Sequence, residues 1–233
     1  MEFIGFPKQA VGFFKELSEN NNREWFNEHK KQYQEMILLP AQAFVLSLGE
    51  SLKLLSNSIE YDLRTSGVGS IFRISRDIRF SKDKTPYKTH LGILFWEGHR
   101  KKMMNPGFYF QIDTDGAVFY TGFYQFPKDY LQAYREAVDD QRLGSELAAI
   151  LKVIREQVGF EVGGDRYKRV PSGYDTEHPR ADLLQYKGLW AKSPFMDPEV
   201  ISRSELVDMC FHNAVRMIAL HKWLVHIDQV ILS

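Results

Sequence analysis

Between Ser70 and His90 the chain places Arg73, Arg76, Arg79, Lys82, Lys84 and Lys88 against only Asp77 and Asp83. Arginine offers a planar fork of donors to a carboxylate or phosphate, and lysine offers a compact point charge. Cations at this density, running into His90, predict a site for a phosphate- or carboxylate-bearing small molecule. Histidine titrates near neutrality, so His90 is the candidate proton shuttle if the ligand is a substrate. Two other readings use the same residues. With Tyr87 and Trp25 as stacking surfaces, the cations would serve a nucleic-acid or protein interface. Alternatively, the arginines pair only with local carboxylates and hold a polar sheet face together.

The chain as a whole lacks the long-range positive field of many dedicated nucleic-acid binders, because its 30 basic and 30 acidic side chains cancel over 233 residues. Any anion must find a local patch. The one cysteine, Cys210, leaves no partner for an intrachain disulfide and fits a reducing compartment. Met1 to Lys8 has no basic segment leading into an apolar one, and no apolar run reaches bilayer length, so the expected location is the cytoplasm without a membrane partner. No cofactor or metal is expected. Gly67-Val68-Gly69 lacks the third glycine and the helix of a phosphate-cradling loop. The Asp113-Thr114-Asp115-Gly116 turn lacks the further oxygen ligands of a calcium loop. His221 and His226 are five residues apart and do not share a helix face.

The elements that carry the basic stretch read as an α+β fold, with an antiparallel meander of strands near 71–80, 89–96, 107–113 and 116–126 packed by N- and C-terminal helices. Phe72, Ile74, Ile78 and Phe80 alternate with Arg73, Ser75, Asp77 and Arg79, which predicts a strand interrupted at Arg76 by a bulge or an inward ion pair. Thr85-Pro86 holds the following loop extended. Leu91 to Trp96 is apolar on both faces, as a central strand is. The hairpin through Asp113 to Gly116 has one apolar face and one bearing Tyr109, Gln111, Val118 and Tyr120, which suits the lining of a pocket. A simple meander would return Asp113 and Asp115 to the end where Lys82 and Lys84 emerge. His99 to Lys102 reads as a solvated turn.

Val11, Phe13, Phe14 and Leu17 predict a first helix, and Asn21 with Glu24 a capping box for the next, which Pro40 interrupts. Leu206, Met209, Cys210, Ala214, Met217, Leu220, Leu224 and Val225 form the stripe of a long last helix, with Ser202 and Glu205 as its capping box. Asp175, Glu177 and His178 are a second cluster capable of acid/base chemistry, or carboxylates placed at the start of a short helix holding Leu183 and Leu184.

Asn20 to Phe26, Phe72 to His90, Gly107-Phe108-Tyr109 and Pro171 to Pro179, in that order, resemble a bacterial family catalogued as domain of unknown function 2461. The resemblance spans nearly the whole chain. It implies a single-domain cytoplasmic protein, residues 1–233, and brings with it no assigned activity and no catalytic residues.

Overall fold

The computed structural model describes residues 2–232. Three helices come first: α1 (Ala10–Glu19), α2 (Arg23–Tyr33) and α3 (Leu39–Lys53). Strands β1 (Ile59–Glu60), β2 (Leu91–Glu97), β3 (Gly107–Ile112) and β4 (Ala117–Phe123) follow. Next come α4 (Lys128–Asp139), α5 (Gln141–Arg155), β5 (Glu161–Gly163), α6 (Ala181–Leu184), β6 (Leu189–Lys192), α7 (Pro198–Ile201) and α8 (Leu206–Leu232). The strands form one six-stranded sheet in the order β1-β2-β3-β4-β6-β5. Strand β6 runs antiparallel to β4, with Phe123 opposite Leu189, and antiparallel to β5, with Gly163 opposite Trp190. The expected α+β architecture is therefore present.

The expected strand at 71–80 is not. Ile71 bridges Ile93, and Phe72 donates its N–H to Gly92 O at 2.9 Å, after which the chain leaves the sheet. It then folds back on itself: Ser75 bridges Tyr87, Arg76 N–H donates to Pro86 O, and Lys88 N–H donates to Ile74 O. The reason is local. Asp77 accepts from Arg79 N–H and Asp83 from Thr85 N–H, and such side-chain turns compete with a strand ladder for the same donors. Phe80, expected on the apolar face, is 96% exposed at the tip of this excursion.

The chain divides into two compact units, Met1–Phe95 with Tyr109–Phe119 and Phe195–His212, and Trp96–Phe108 with Tyr120–Pro194 and Asn213–Ser233. In the first, Phe44 and Phe110 meet at 4.5 Å between ring centroids, with Phe3 and Phe6 completing the cluster. Phe13, Phe14 and Leu17 of α1 and Phe44, Leu48 and Leu52 of α3 supply further buried faces at helical spacing. A π-helical turn, Gln34–Leu38, joins α2 to α3. Pro40 has no N–H to continue the i→i−4 ladder, and the widened turn absorbs that loss without breaking the rod. The uninterrupted run Arg23–Lys53 contains a window long and apolar enough, by length and composition alone, to match a membrane span. Its apolar side chains Ile37, Phe44, Leu48 and Leu52 are fully buried among protein neighbours.

In the second unit Phe126, Tyr130 and Tyr134 pack together, and both tyrosine hydroxyls are satisfied, donating to Leu224 O at 2.6 Å and Leu183 O at 3.0 Å. Arg180 ends α4 from outside its sequence. Its guanidinium donates to Val138 O, Asp139 O and Asp140 O, carbonyls left open where the helix stops. Asp175 and Glu177 do not cap α6, because Asp175 spends its oxygen on Glu177 N–H and Arg180 occupies the N-cap position. The second capping box is absent too: Asp197 caps α7, and Ser202 donates to Glu199 O.

Candidate functional site

The basic stretch sorts into cations already engaged and cations left open. Arg76, whose side chain is 27% exposed, donates to the Asp83 carboxylate and to the Thr85 hydroxyl. Arg79 forms a two-bonded pair with Asp77, and Lys84 donates to Ile78 O at 3.0 Å. These contacts hold both carboxylates at a pKa of about 2. For Asp77 the main cause is the Arg79 side-chain bond, and for Asp83 the Thr85 N–H comes first, then Arg76. Arg76, Arg79 and Lys84 therefore shape the loop. Lys82 is exposed on it.

Arg73, Lys88 and His90 lie elsewhere, where the returning segment meets β2 and β3. Lys88 is half-buried with its ammonium 5.3 Å from the Phe72 ring centroid. Burial first, and the nearby Arg73 second, push its pKa down. His90 is lowered by burial and by Lys88, and Asp113 opposes the shift. The neutral imidazole is favoured as a result. Among the described residues no carboxylate forms an ion pair with Lys88, so its partly desolvated charge has the like charge of Arg73 nearby, while Arg73 itself is exposed and acts on Asp77.

Strand β3 lies next to β2. Its burial alternates, with Phe108, Phe110 and Ile112 inside and Tyr109 and Gln111 half-exposed on the other face. Tyr109 Oη donates to Gln111 Oε1 at 3.2 Å, and Gln111 Nε2 donates to Asp113 Oδ2 at 3.2 Å. Asp113 thus accepts from Gln111 and acts on His90, and among the described residues it forms no ion pair with Lys82 or Lys84. A Cβ at Gly92 would lie 2.5 Å from Tyr109 Oη, so the tyrosine can lie over β2 only because residue 92 is glycine.

The returning segment is fastened by a residue the sequence pattern assigned to another task. Asn22, not Asn21, caps α2, accepting from Trp25 N–H at 2.9 Å. Asn21 instead donates from Nδ2 to Tyr87 O at 2.9 Å and accepts from Tyr87 N–H at 3.0 Å. A side-chain amide here takes the place of a neighbouring strand. Phe26 stacks on the Tyr87 ring at 4.2 Å, and Trp25 stacks on His29 at 3.9 Å. The two aromatics expected as stacking surfaces for bases are therefore engaged within the protein.

A family model described as a conserved hypothetical protein, DUF2461, matches residues 9–223. The chain belongs to that family. No curated protein matches it. The match to DUF2461 covers α1, the whole basic stretch and most of α8.

Two other stretches behave differently from their sequence reading. His99 to Lys102 is more than a solvated turn: Arg100, 14% exposed, pairs with Asp129 at 2.6 Å and with the buried Asp228 at 2.8 Å. Nearby, fully buried His221 meets Glu97 at 2.7 Å, and its Nδ1 has no partner. Cys210 is buried and its thiol pKa pushed up by that burial, as a core side chain requires. Among the described residues no group of three His, Cys, Asp or Glu side chains could hold a metal ion.

Proposed function

We propose that the protein binds a small molecule bearing a phosphate or carboxylate group at Arg73, Lys88 and His90. What supports this most is the half-buried Lys88, which has Arg73 nearby and forms no ion pair with a carboxylate among the described residues. A bound anion would relieve that repulsion, with Arg73 giving directional bonds and Lys88 charge. Lys82 widens the field at the entrance, while Arg76, Arg79 and Lys84 keep the loop in shape. Neutral His90, with Asp113 behind it, is the group through which a proton would leave the ligand if binding leads to reaction. The lone buried cysteine fits a reducing, cytoplasmic setting.

A thermal-shift panel of inorganic phosphate, pyrophosphate, small carboxylates and short oligonucleotides tests the reading. A small anion at a hundred times its dissociation constant should add about 2.7 kcal/mol, on the order of five to ten degrees. Arg73→Ala and Lys88→Met should abolish the shift. A shift given only by oligonucleotides, falling steeply with log salt, would replace this reading with the interface one.

A further inference from the structure

A second basic site lies in the other unit, within the stretch that follows Gly163-Gly164. An open cleft of about 610 Å³ is lined by Arg135, Tyr167, Lys168, Arg169, Val170 and Pro171. That volume suits a small organic ligand. Its lining holds three cations and no carboxylate. Among the described residues Arg135, Lys168 and Arg169 form no ion pair. Some other basic side chains of this unit are paired: Lys187 with Asp165, Lys192 with Glu161, and Arg100 with Asp129 and Asp228.

The backbone that presents these cations is anchored. Arg166 bridges Tyr186, Tyr167 N–H donates to Gln185 O at 2.8 Å, and Lys187 N–H donates to Asp165 O at 2.8 Å. Pro171 restricts Val170 to extended backbone, and Tyr174 N–H closes the next turn on Pro171 O. Across the cleft, Arg135 comes from α4 with its guanidinium carbon 5.1 Å from the Tyr167 ring centroid. Its Nε is enclosed and has no acceptor, so the guanidinium retains an unsatisfied donor. Cations on a fixed backbone, beside a partly exposed phenol and a proline, combine charge with an apolar platform.

We infer that this cleft binds a phosphomonoester with a planar apolar body. Arg135 and Arg169 hold the phosphate with directional bonds, Lys168 adds charge, and the body lies against Tyr167, Val170 and Pro171. The site is separate from Arg73, Lys88 and His90 and does not depend on their function.

Phenyl phosphate is the probe, followed by amide and Arg135 Nε resonances of the full chain, with phenol as the uncharged control. Wild type should show saturable shifts at 167–171 and at Arg135 Nε, and phenol should give none. The exposed pair Lys168→Ala with Arg169→Ala should weaken that binding at least tenfold without changing the melting temperature, while Arg73→Ala leaves it intact. Non-saturating shifts, equal binding by the double variant, or equal binding of phenol would each overturn the inference.

Discussion

At the scale of single residues, the proposed site turns on the environment of Lys88 and His90. Burial and Lys88 disfavour the imidazolium of His90, so its pKa in the folded chain lies below the ordinary 6.5. The sign of the pH effect follows. As pH falls through the ordinary histidine range the unfolded chain takes up this proton first, so His90 contributes a loss of stability on acidification. A ring-resonance titration should find the depressed value, and Lys88→Met should raise it by removing the adjacent charge. The same substitution removes a partly desolvated charge that Arg73 further disfavours, so it should not lower the melting temperature, as expected of a residue kept for binding at a cost to the fold. A titration of His90 at the model-peptide value in both proteins would contradict this. For Asp77 and Asp83 the direction is the usual one for paired carboxylates: their stabilising effect is complete above about pH 4 and is lost as pH falls toward about 2.

At the scale of elements, the returning segment from Phe72 to Lys88 depends on α2 for its position. Asn21→Ala removes both bonds to the Tyr87 backbone, so it should cost about 1–3 kcal/mol and speed amide exchange at Arg76, Tyr87 and Lys88. Unchanged exchange there would show that Phe26 stacking on Tyr87 is sufficient alone. Much of this architecture was legible in the sequence. Strands β2, β3 and β4 are read from alternation and apolar runs, and the alternation of β3 already separated Tyr109 and Gln111 from the core face. The failed strand at 71–80 has equal alternation, but Asp77 and Asp83 sit two residues before Arg79 and Thr85, the spacing at which a carboxylate captures a backbone N–H. The sequence pattern puts the cap at Asn21, and only the fold decides that Asn22 starts α2 while Asn21 reaches 66 residues along the chain. The pairing of Glu97 with His221 spans 124 residues and leaves no local pattern at all.

At the scale of the whole molecule, zero formal net charge means that binding must come from local arrangement, not from a global field. The buried contact between Glu97 and His221 serves stability. His221→Leu withdraws a partner from the buried Glu97 carboxyl and should cost about 1–3 kcal/mol in denaturant titration, whereas an unchanged midpoint would mean that the pair is neutral to the fold. Among these claims, anion binding at Arg73, Lys88 and His90 is the central one, and a pyrophosphate titration followed at the His90 ring tests it most directly. A bound anion should raise the His90 pKa saturably, by the same charge logic through which Lys88 lowers it, and Arg73→Ala should remove the effect. A His90 pKa that does not move with pyrophosphate, in a protein whose other resonances show it folded, would contradict the account.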